Sequence, residues 1–338
     1  MMRAAENPWP SPPPPEAALL VVVVARIGDT LLVTPMLRAL KEACPRGRLT
    51  VLAHPKRLAV LEHLPFVDRL GSIVPRSARF RGWLARRQHD LAFVLGRDPP
   101  LLDYALRVSD RAFAFAHPGM HADPERFRSV PRPTASMHAV RERLLLAEAA
   151  GVRTRSLRLA YVVTDAEKRD ARGWLSARIS GGARPVVGLQ MVSFPTKAHR
   201  NWPATSFAEL ATRITASYPG ASFVVLGDRD SLPAAETLSR SLPGKVHVAA
   251  GERDLRQSAA LIGEMDLYVG VDTGPTHIAG ALDVPMIGIY HHMYPGRNLV
   301  PLERARFRIL EQPAAGELGV DAVMAETASL LGSGGVAP

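Results

Sequence analysis

Cysteine is almost missing from this chain: there is one, Cys44, in 338 residues. A single thiol excludes an intrachain disulfide and any zinc site built on cysteine pairs. It closes the helix-like run Leu37-Arg-Ala-Leu-Lys-Glu-Ala-Cys44, where it reads as a small buried hydrophobe in a reducing compartment. Long apolar stretches are missing too. The longest, Ala17-Ala-Leu-Leu-Val-Val-Val-Val-Ala25, falls far short of the roughly 20 residues that a spanning helix needs. It does not read as a secretion signal either. Pro12-Pro-Pro-Pro-Glu16 precedes it, and Arg26 follows without a small-residue cleavage pattern. The cytoplasm is the expected location. Acidic residues are in deficit, 32 against 42 lysines and arginines, which leaves a net charge of +10. Arginine-rich coding bias alone would give that number; otherwise it favours an anionic partner such as a phosphorylated glycolipid or a membrane face. Nucleic acid is not expected, because the arginines are spread through the chain without a nucleic-acid-binding module.

What is present is a long alternation of strand and helix patterns. The β-branched run 19–25 reads as a central parallel strand, and 26–30 as a turn. A helix follows over 31–43, with Leu32, Met36 and Leu40 on one face and Pro35 in its first turn. Strands are expected at 49–53, 71–74, 90–95 and 111–115, and helices at 57–63, 139–151 and 165–179. Ser180-Gly-Gly-Ala-Arg-Pro185 reads as a linker, after which the alternation restarts. Strands 186–190, 222–227, 246–249, 266–271 and 285–290 then alternate with helices 206–217, 233–242, 255–265 and 276–282. The expected fold class is α/β, with two Rossmann-like, doubly wound parallel-sheet lobes facing a central cleft. The expected divisions are a disordered Pro-rich leader (1–16), an N-terminal lobe (17–180) and a C-terminal lobe (185–315). A C-terminal helix and tail (316–338) would pack back on the N-lobe. Open α/β sheets bind ligands beyond the carboxyl ends of their strands, so binding loops are sought there.

One such loop stands out. In Gly270-Val-Asp-Thr-Gly-Pro-Thr-His-Ile-Ala-Gly-Ala-Leu282 an apolar strand breaks at Asp272-Thr-Gly-Pro275 into a helix start rich in small residues. The first amides of a helix lack internal partners and carry partial positive charge, which suits a phosphate. Gly274 and Pro275 shape the turn, and Thr273, Thr276 and His277 add side-chain donors. An ordinary strand-to-helix connection would look the same in outline.

Four stretches together resemble glycosyltransferase family 9, the family of the lipopolysaccharide heptosyltransferases. They are Ala25-Arg-Ile-Gly-Asp-Thr-Leu-Leu-Val-Thr-Pro-Met-Leu-Arg-Ala-Leu40; His63-Leu-Pro-Phe-Val-Asp-Arg69; Arg200-Asn-Trp-Pro203 leading to Phe207-Ala-Glu-Leu210; and 272–282 followed by Val284-Pro285. The resemblance spans most of 19–330. It implies a GT-B fold, an acceptor-binding N-lobe and a nucleotide-sugar-binding C-lobe. It also implies inverting transfer of a sugar from a nucleotide donor, best known as ADP-heptose, to an anionic glycolipid acceptor of the lipopolysaccharide core.

On that resemblance Asp29 matches the family's proposed general base, taking the proton of the acceptor hydroxyl; read from the turn alone, it would N-cap the following helix. Gly28 would let the acceptor approach the backbone, and Arg57, Arg79 and Arg81 are further candidate acceptor contacts. The departing diphosphate needs positive charge, for which Arg200 or Lys197 is the candidate alongside the 273–276 helix start. Asp272 matches a family contact to the donor sugar, or bonds its own turn. Asp228 and Arg253 are candidates for the nucleoside. Asp228-Arg-Asp230 is formally a metal-binding D-x-D, but the cationic groups leave a metal without a task, so no metal or other cofactor is expected. His291 and His292, in the loop Tyr290-His-His-Met-Tyr-Pro-Gly-Arg297, do not form a convincing metal site; the loop departs from the family pattern and points to a different sugar or acceptor. The segment Arg76-Ser-Ala-Arg-Phe-Arg-Gly-Trp-Leu-Ala-Arg-Arg87 would meet an anionic lipid surface, or is a solvated basic helix face. The alternatives are a GT-B enzyme with another donor, a sugar-nucleotide epimerase, or a non-catalytic binding protein.

Overall fold

Five apolar residues in a row have no polar face to show to water, so Leu19–Val23 must be covered on both sides. In the computed structural model, which describes residues 12–117, 123–293, 296–313 and 318–332, that run is a fully buried central strand, β1. The chain divides into two units, Met1–Ala160 and Tyr161–Pro338.

In the first unit β1 is followed by α1 (Ile27–Leu31), α2 (Thr34–Ala43), β2 (Leu49–Ala53), β3 (Arg69–Ser72) and α3 (Pro75–Leu84). Then come β4 (His89–Val94), α4 (Pro99–Val108), β5 (Ser109–Phe115), β6 (Phe127–Val130) and α5 (Ala139–Ala149). The strands are all parallel, in the order β3-β2-β1-β4-β5-β6. Leu20 and Val22 of β1 cluster with Ala78 of α3 and with Leu101, Tyr104 and Ala105 of α4. Helices α2 and α5 pack on each other and on β2 and β5.

The second unit runs α6 (Asp165–Ser176), β7 (Val186–Gln190), α7 (Ala204–Ser217), β8 (Ser222–Val225), α8 (Leu232–Ser241) and β9 (Val246–Val248). It continues with α9 (Leu255–Gly263), β10 (Leu267–Val271), α10 (Gly274–Ala281), β11 (Met286–His291), β12 (Phe307–Gln312) and α11 (Val320–Gly332). Its parallel sheet has the order β12-β11-β10-β7-β8-β9, the same winding as the first. In each unit the winding reverses between the first and fourth strands, β1/β4 and β7/β10. Such a reversal opens a crevice at the carboxyl ends of the two strands.

Several sequence expectations need correction. The boundary falls at 160/161 and not at 180–185, because α6 is bound to α9 of the second unit. Arg256 pairs with Glu167 and donates to the Val162 carbonyl at 2.8 Å, and Trp174 Nε1 donates to Glu252 at 3.2 Å. Within the second unit α11 packs on α7, and Val323 and Leu330 lie in its core. Of the leader, 1–11 lie outside the described residues, and 12–16 are tied down. The Pro15 carbonyl accepts from the amides of Arg46 and Gly47, both at 3.0 Å, and Glu16 pairs with Arg46. Gly47 is required there, since a Cβ would stand 1.9 Å from the Ala17 carbonyl oxygen. The helix expected over 31–43 is two, α1 and α2, interrupted at Leu32 and Val33, and that over 57–63 is a 3₁₀ turn at Pro55–Val60.

Candidate functional site

The first crevice gathers charge. The chain leaves β1 at Val23 and turns into α1, a helix of five residues that carries Asp29 in its first turn. The expected capping role is not seen: Arg26 is the N-cap residue and no side chain caps the helix. Instead Asp29 Oδ1 accepts from Nη2 of Arg143 at 2.7 Å. Arg143 comes from α5, is mostly buried, and also donates Nη1 to the Ala139 carbonyl at 2.7 Å. Burial pulls its pKa below the usual arginine range, and the Asp29 charge opposes that pull. Asp29 itself is about half exposed, and its Oδ2 takes no hydrogen bond from the described residues. It therefore stands as an oriented carboxylate with one oxygen open to a ligand.

A pocket of about 320 Å³ lies over this pair, between the ends of β1 and β4. Arg26, Asp29, Arg97, Asp98, Arg132 and Arg143 supply its charged wall. Arg132 pairs with Glu142 and lies 4.5 Å above the Phe115 ring. With Arg143 paired to Asp29 and Arg132 to Glu142, Arg26 and Arg97 face Asp98. The excess of positive charge suits an anion, since arginine presents a planar fork to carboxylate or phosphate. Sequence reading found Asp29 but missed these arginines. Arg143 is 114 positions from Asp29, and neither it nor Arg132 lies in a recognisable motif.

The expected acceptor contacts lie elsewhere. Gly28 neighbours Asp29 in α1 but is not in the pocket wall. Arg57 sits on the 3₁₀ turn that packs against α1 and donates to the Lys56 carbonyl at 3.0 Å. Arg79 is exposed on α3, and Arg81 on the same helix donates to the Ser72 carbonyl.

The second crevice gathers small residues and a buried ion pair. β10 ends at Val271, and the chain passes through Asp272 and Thr273 into α10, with Pro275 in the first turn, where it is tolerated. Thr273 occupies the N-cap position, but its hydroxyl donates to the Val271 carbonyl at 3.3 Å and makes no cap bond. Thr276 Oγ1 donates to the same carbonyl at 2.6 Å and bonds the Tyr268 hydroxyl at 3.0 Å. Burial raises the Tyr268 phenol well above its usual range, so it stays protonated. The amides at the start of α10 are thus not consumed by a side-chain cap.

Asp272 does not bond its own turn. Its Oδ2 meets Nη1 of Arg200 at 2.7 Å, both side chains only 8% exposed, and Oδ1 lies 3.8 Å from Nε2 of His277. Arg200 ends the 3₁₀ stretch Pro195–Arg200 beyond β7, and Gln312 of β12 donates to its carbonyl at 3.1 Å. Lys197 lies on the same stretch, where its carbonyl accepts from the Ser193 hydroxyl at 2.8 Å. The structure therefore brings Arg200, Asp272, Thr273, Thr276 and His277 together, with Gly274 and Pro275 as the helix start. His199 and His291 stand edge to face with ring centroids 5.5 Å apart, and His292 follows at 4.2 Å from His291. Partial burial, then His292, His199 and Arg200, hold the His291 imidazole below its usual range.

Two expected nucleoside contacts diverge. Asp228 is exposed after β8 and accepts from the Asp230 amide at 3.1 Å. Arg253 is turned to α6, paired with Asp170 at 2.6 Å and 5.8 Å from the Trp174 ring centroid. Among the described residues no group of three His, Cys, Asp or Glu side chains is arranged to hold a metal ion.

Two Rossmann-type units, each with polar groups at its reversal point, define the GT-B class of glycosyltransferases. The chain belongs to glycosyltransferase family 9 (heptosyltransferase), whose sequence model matches residues 120–313, more than half of its length. It is similar to the lipopolysaccharide core heptosyltransferase OpsX of Haemophilus influenzae, 29% identical over 103 residues, a match that spans 30% of either chain. Lipopolysaccharide heptosyltransferase 3 of Escherichia coli is 22% identical over 280 residues, 78% of this chain and 80% of that one. Among solved structures, the E. coli ADP-heptose lipopolysaccharide heptosyltransferase II has the same fold, with a TM-score of 0.76 at 20% identity over 94% of this chain and 99% of that one.

Proposed function

We propose that this glycosyltransferase moves heptose from ADP-heptose to an anionic acceptor of the lipopolysaccharide core, with inversion and without a metal, at the cytoplasmic face of the inner membrane. The observation that carries this reading is the Asp29 carboxylate, oriented by a buried arginine inside an arginine-walled pocket. The acceptor's acidic groups sit among Arg26, Arg97 and Arg132, and its hydroxyl faces Asp29. That oxygen attacks the anomeric carbon, the bond from this carbon to the diphosphate breaks, and Asp29 takes the hydroxyl proton. The electron pair leaves with ADP. The start of α10, its Thr273 and Thr276 hydroxyls, and Lys197 meet the diphosphate charge. Arg200 acts through Asp272, whose position it fixes beside the donor sugar.

Asp29→Asn keeps the size of the side chain and removes the base. Transfer to an acceptor should fall by about 10²-fold or more, with ADP binding unchanged in calorimetry. Wild-type turnover in that variant would remove Asp29 from the role. A titration panel of ADP, UDP and GDP decides the donor. Preference for UDP or GDP would keep the reaction class and overturn ADP-heptose, an outcome to which the unusual histidines 291 and 292 draw attention.

A further inference from the structure

Helix α3 is docked by its smallest residues. Ala78 and Gly82 are its buried positions. A Cβ on Gly82 would stand 3.1 Å from Arg107 Cδ and 3.5 Å from Tyr104 Cα, so α3 lies directly against α4. At 3.6 residues per turn, Phe80, Trp83 and Leu84 share one stripe on the side away from that contact. They are 65%, 72% and 62% exposed, whereas the other large exposed apolar residues among those described occur singly along the chain. The rings of Phe80 and Trp83 lie 6.5 Å apart. Arg76 belongs to the same stripe one turn earlier, Arg79 flanks it, and Arg86 and Arg87 follow the helix end. No acidic residue occurs between Val74 and Gln88.

We propose that this face of α3 seats the protein on an anionic phospholipid bilayer, with Phe80, Trp83 and Leu84 in the interfacial region and the arginines on lipid phosphates. A contiguous apolar stripe rimmed by polar residues marks an interaction surface, and tryptophan with leucine over a cationic rim is the composition of interfacial helices. Charge complementarity selects lipid over a second copy of the chain. A two-fold contact would set this arginine-rich face against itself. The proposal does not depend on the roles given to the two crevices.

Co-sedimentation of the full chain with vesicles tests it. Wild type should partition onto phosphatidylglycerol-containing vesicles, weakly onto pure phosphatidylcholine, and less at high salt. The triple variant Phe80→Ser, Trp83→Ser, Leu84→Ser should lose on the order of tenfold or more in partition. Arg76→Gln with Arg79→Gln should lose about 25-fold, each arginine contributing about fivefold at an anionic surface. All these side chains are exposed, so the variants should keep the wild-type thermal midpoint. A blue shift in fluorescence on anionic vesicles, present in wild type and absent in Trp83→Phe, would place the indole in the interface. Failure of wild type to partition, or equal partition by the variants, would overturn the proposal. So would a wild-type dimer that the triple variant dissolves without any vesicle binding, and inorganic phosphate competing fully for the site would assign the arginines to free anions.

Discussion

Asp29 and Asp272 are both carboxylates paired with an arginine at 2.7 Å, yet their surroundings divide their work. Asp29 is about half exposed and has an oxygen without a hydrogen bond from the described residues, so it stays open to a ligand. Asp272 is shut in with Arg200, and its second oxygen faces His277, so it is a fixed point. Removing one member of a buried pair leaves the other charge without compensation in a medium that solvates it poorly. Arg200→Ala should therefore destabilise the second unit by ~3–5 kcal/mol, read by urea unfolding. Asp29→Asn removes the half-exposed member of its pair, so it should destabilise by less than Arg200→Ala, the Arg143 left behind being mostly buried. Equal effects of the two substitutions would contradict the contrast in burial.

At the scale of elements, α6 belongs with α9, and one carboxylate does much to hold it there. Glu167 closes the capping box with Thr164 at the start of α6 and also pairs with Arg256 of α9. The Arg256 hydrogen bond, with those from Thr164, lowers the Glu167 pKa from 4.5 to about 2. A carboxylate whose folded pKa lies below its unfolded one stabilises the fold fully above the unfolded value, and that stability is lost as pH falls towards the folded value. Thermal stability should drop between pH 4.5 and about 2, and Glu167→Gln should flatten that part of the profile; an unchanged slope would remove the pair from the account. The pairing also explains a boundary that sequence reading misplaced. Ser180-Gly-Gly-Ala-Arg-Pro185 has the composition of a linker, but composition does not report which helix a side chain 89 positions away will bind. The strands were legible because β-branched runs such as 19–23 have a single use in an α/β chain. The helix break at Leu32 and Val33 was not, since both residues keep the apolar pattern and are buried.

For the whole molecule, the alternation of elements gave the class of fold, and the segment 272–282 led to the second crevice. The first crevice was only half readable: Asp29 lies in a motif with Arg26, whereas Arg97 and Arg132 come from two other connections and Arg143 from α5, and they gain meaning only when the sheet closes. The two units have separate sheets and, under the proposed reading, separate ligands. ADP at 100 times its dissociation constant should stabilise the chain by about 2.7 kcal/mol. Hydrogen-exchange protection should concentrate at the carboxyl ends of β7 and β10 and the start of α10. Protection centred on the ends of β1 and β4 would move the nucleotide to the other unit.

The brevity of α1 has a consequence for how such a site can drift over generations. Backbone bonds such as Thr30 to Arg26 and Leu32 to Gly28 hold its short turn, and the break before α2 separates it from the longer helix. The direction in which Asp29 points is then set from outside its own motif, by an arginine on a helix more than a hundred residues downstream. Under the proposed reading, substitutions in α5 would re-aim the chemistry while the Gly28-Asp29 signature stayed unchanged, so two chains that share the signature need not share a regiochemistry.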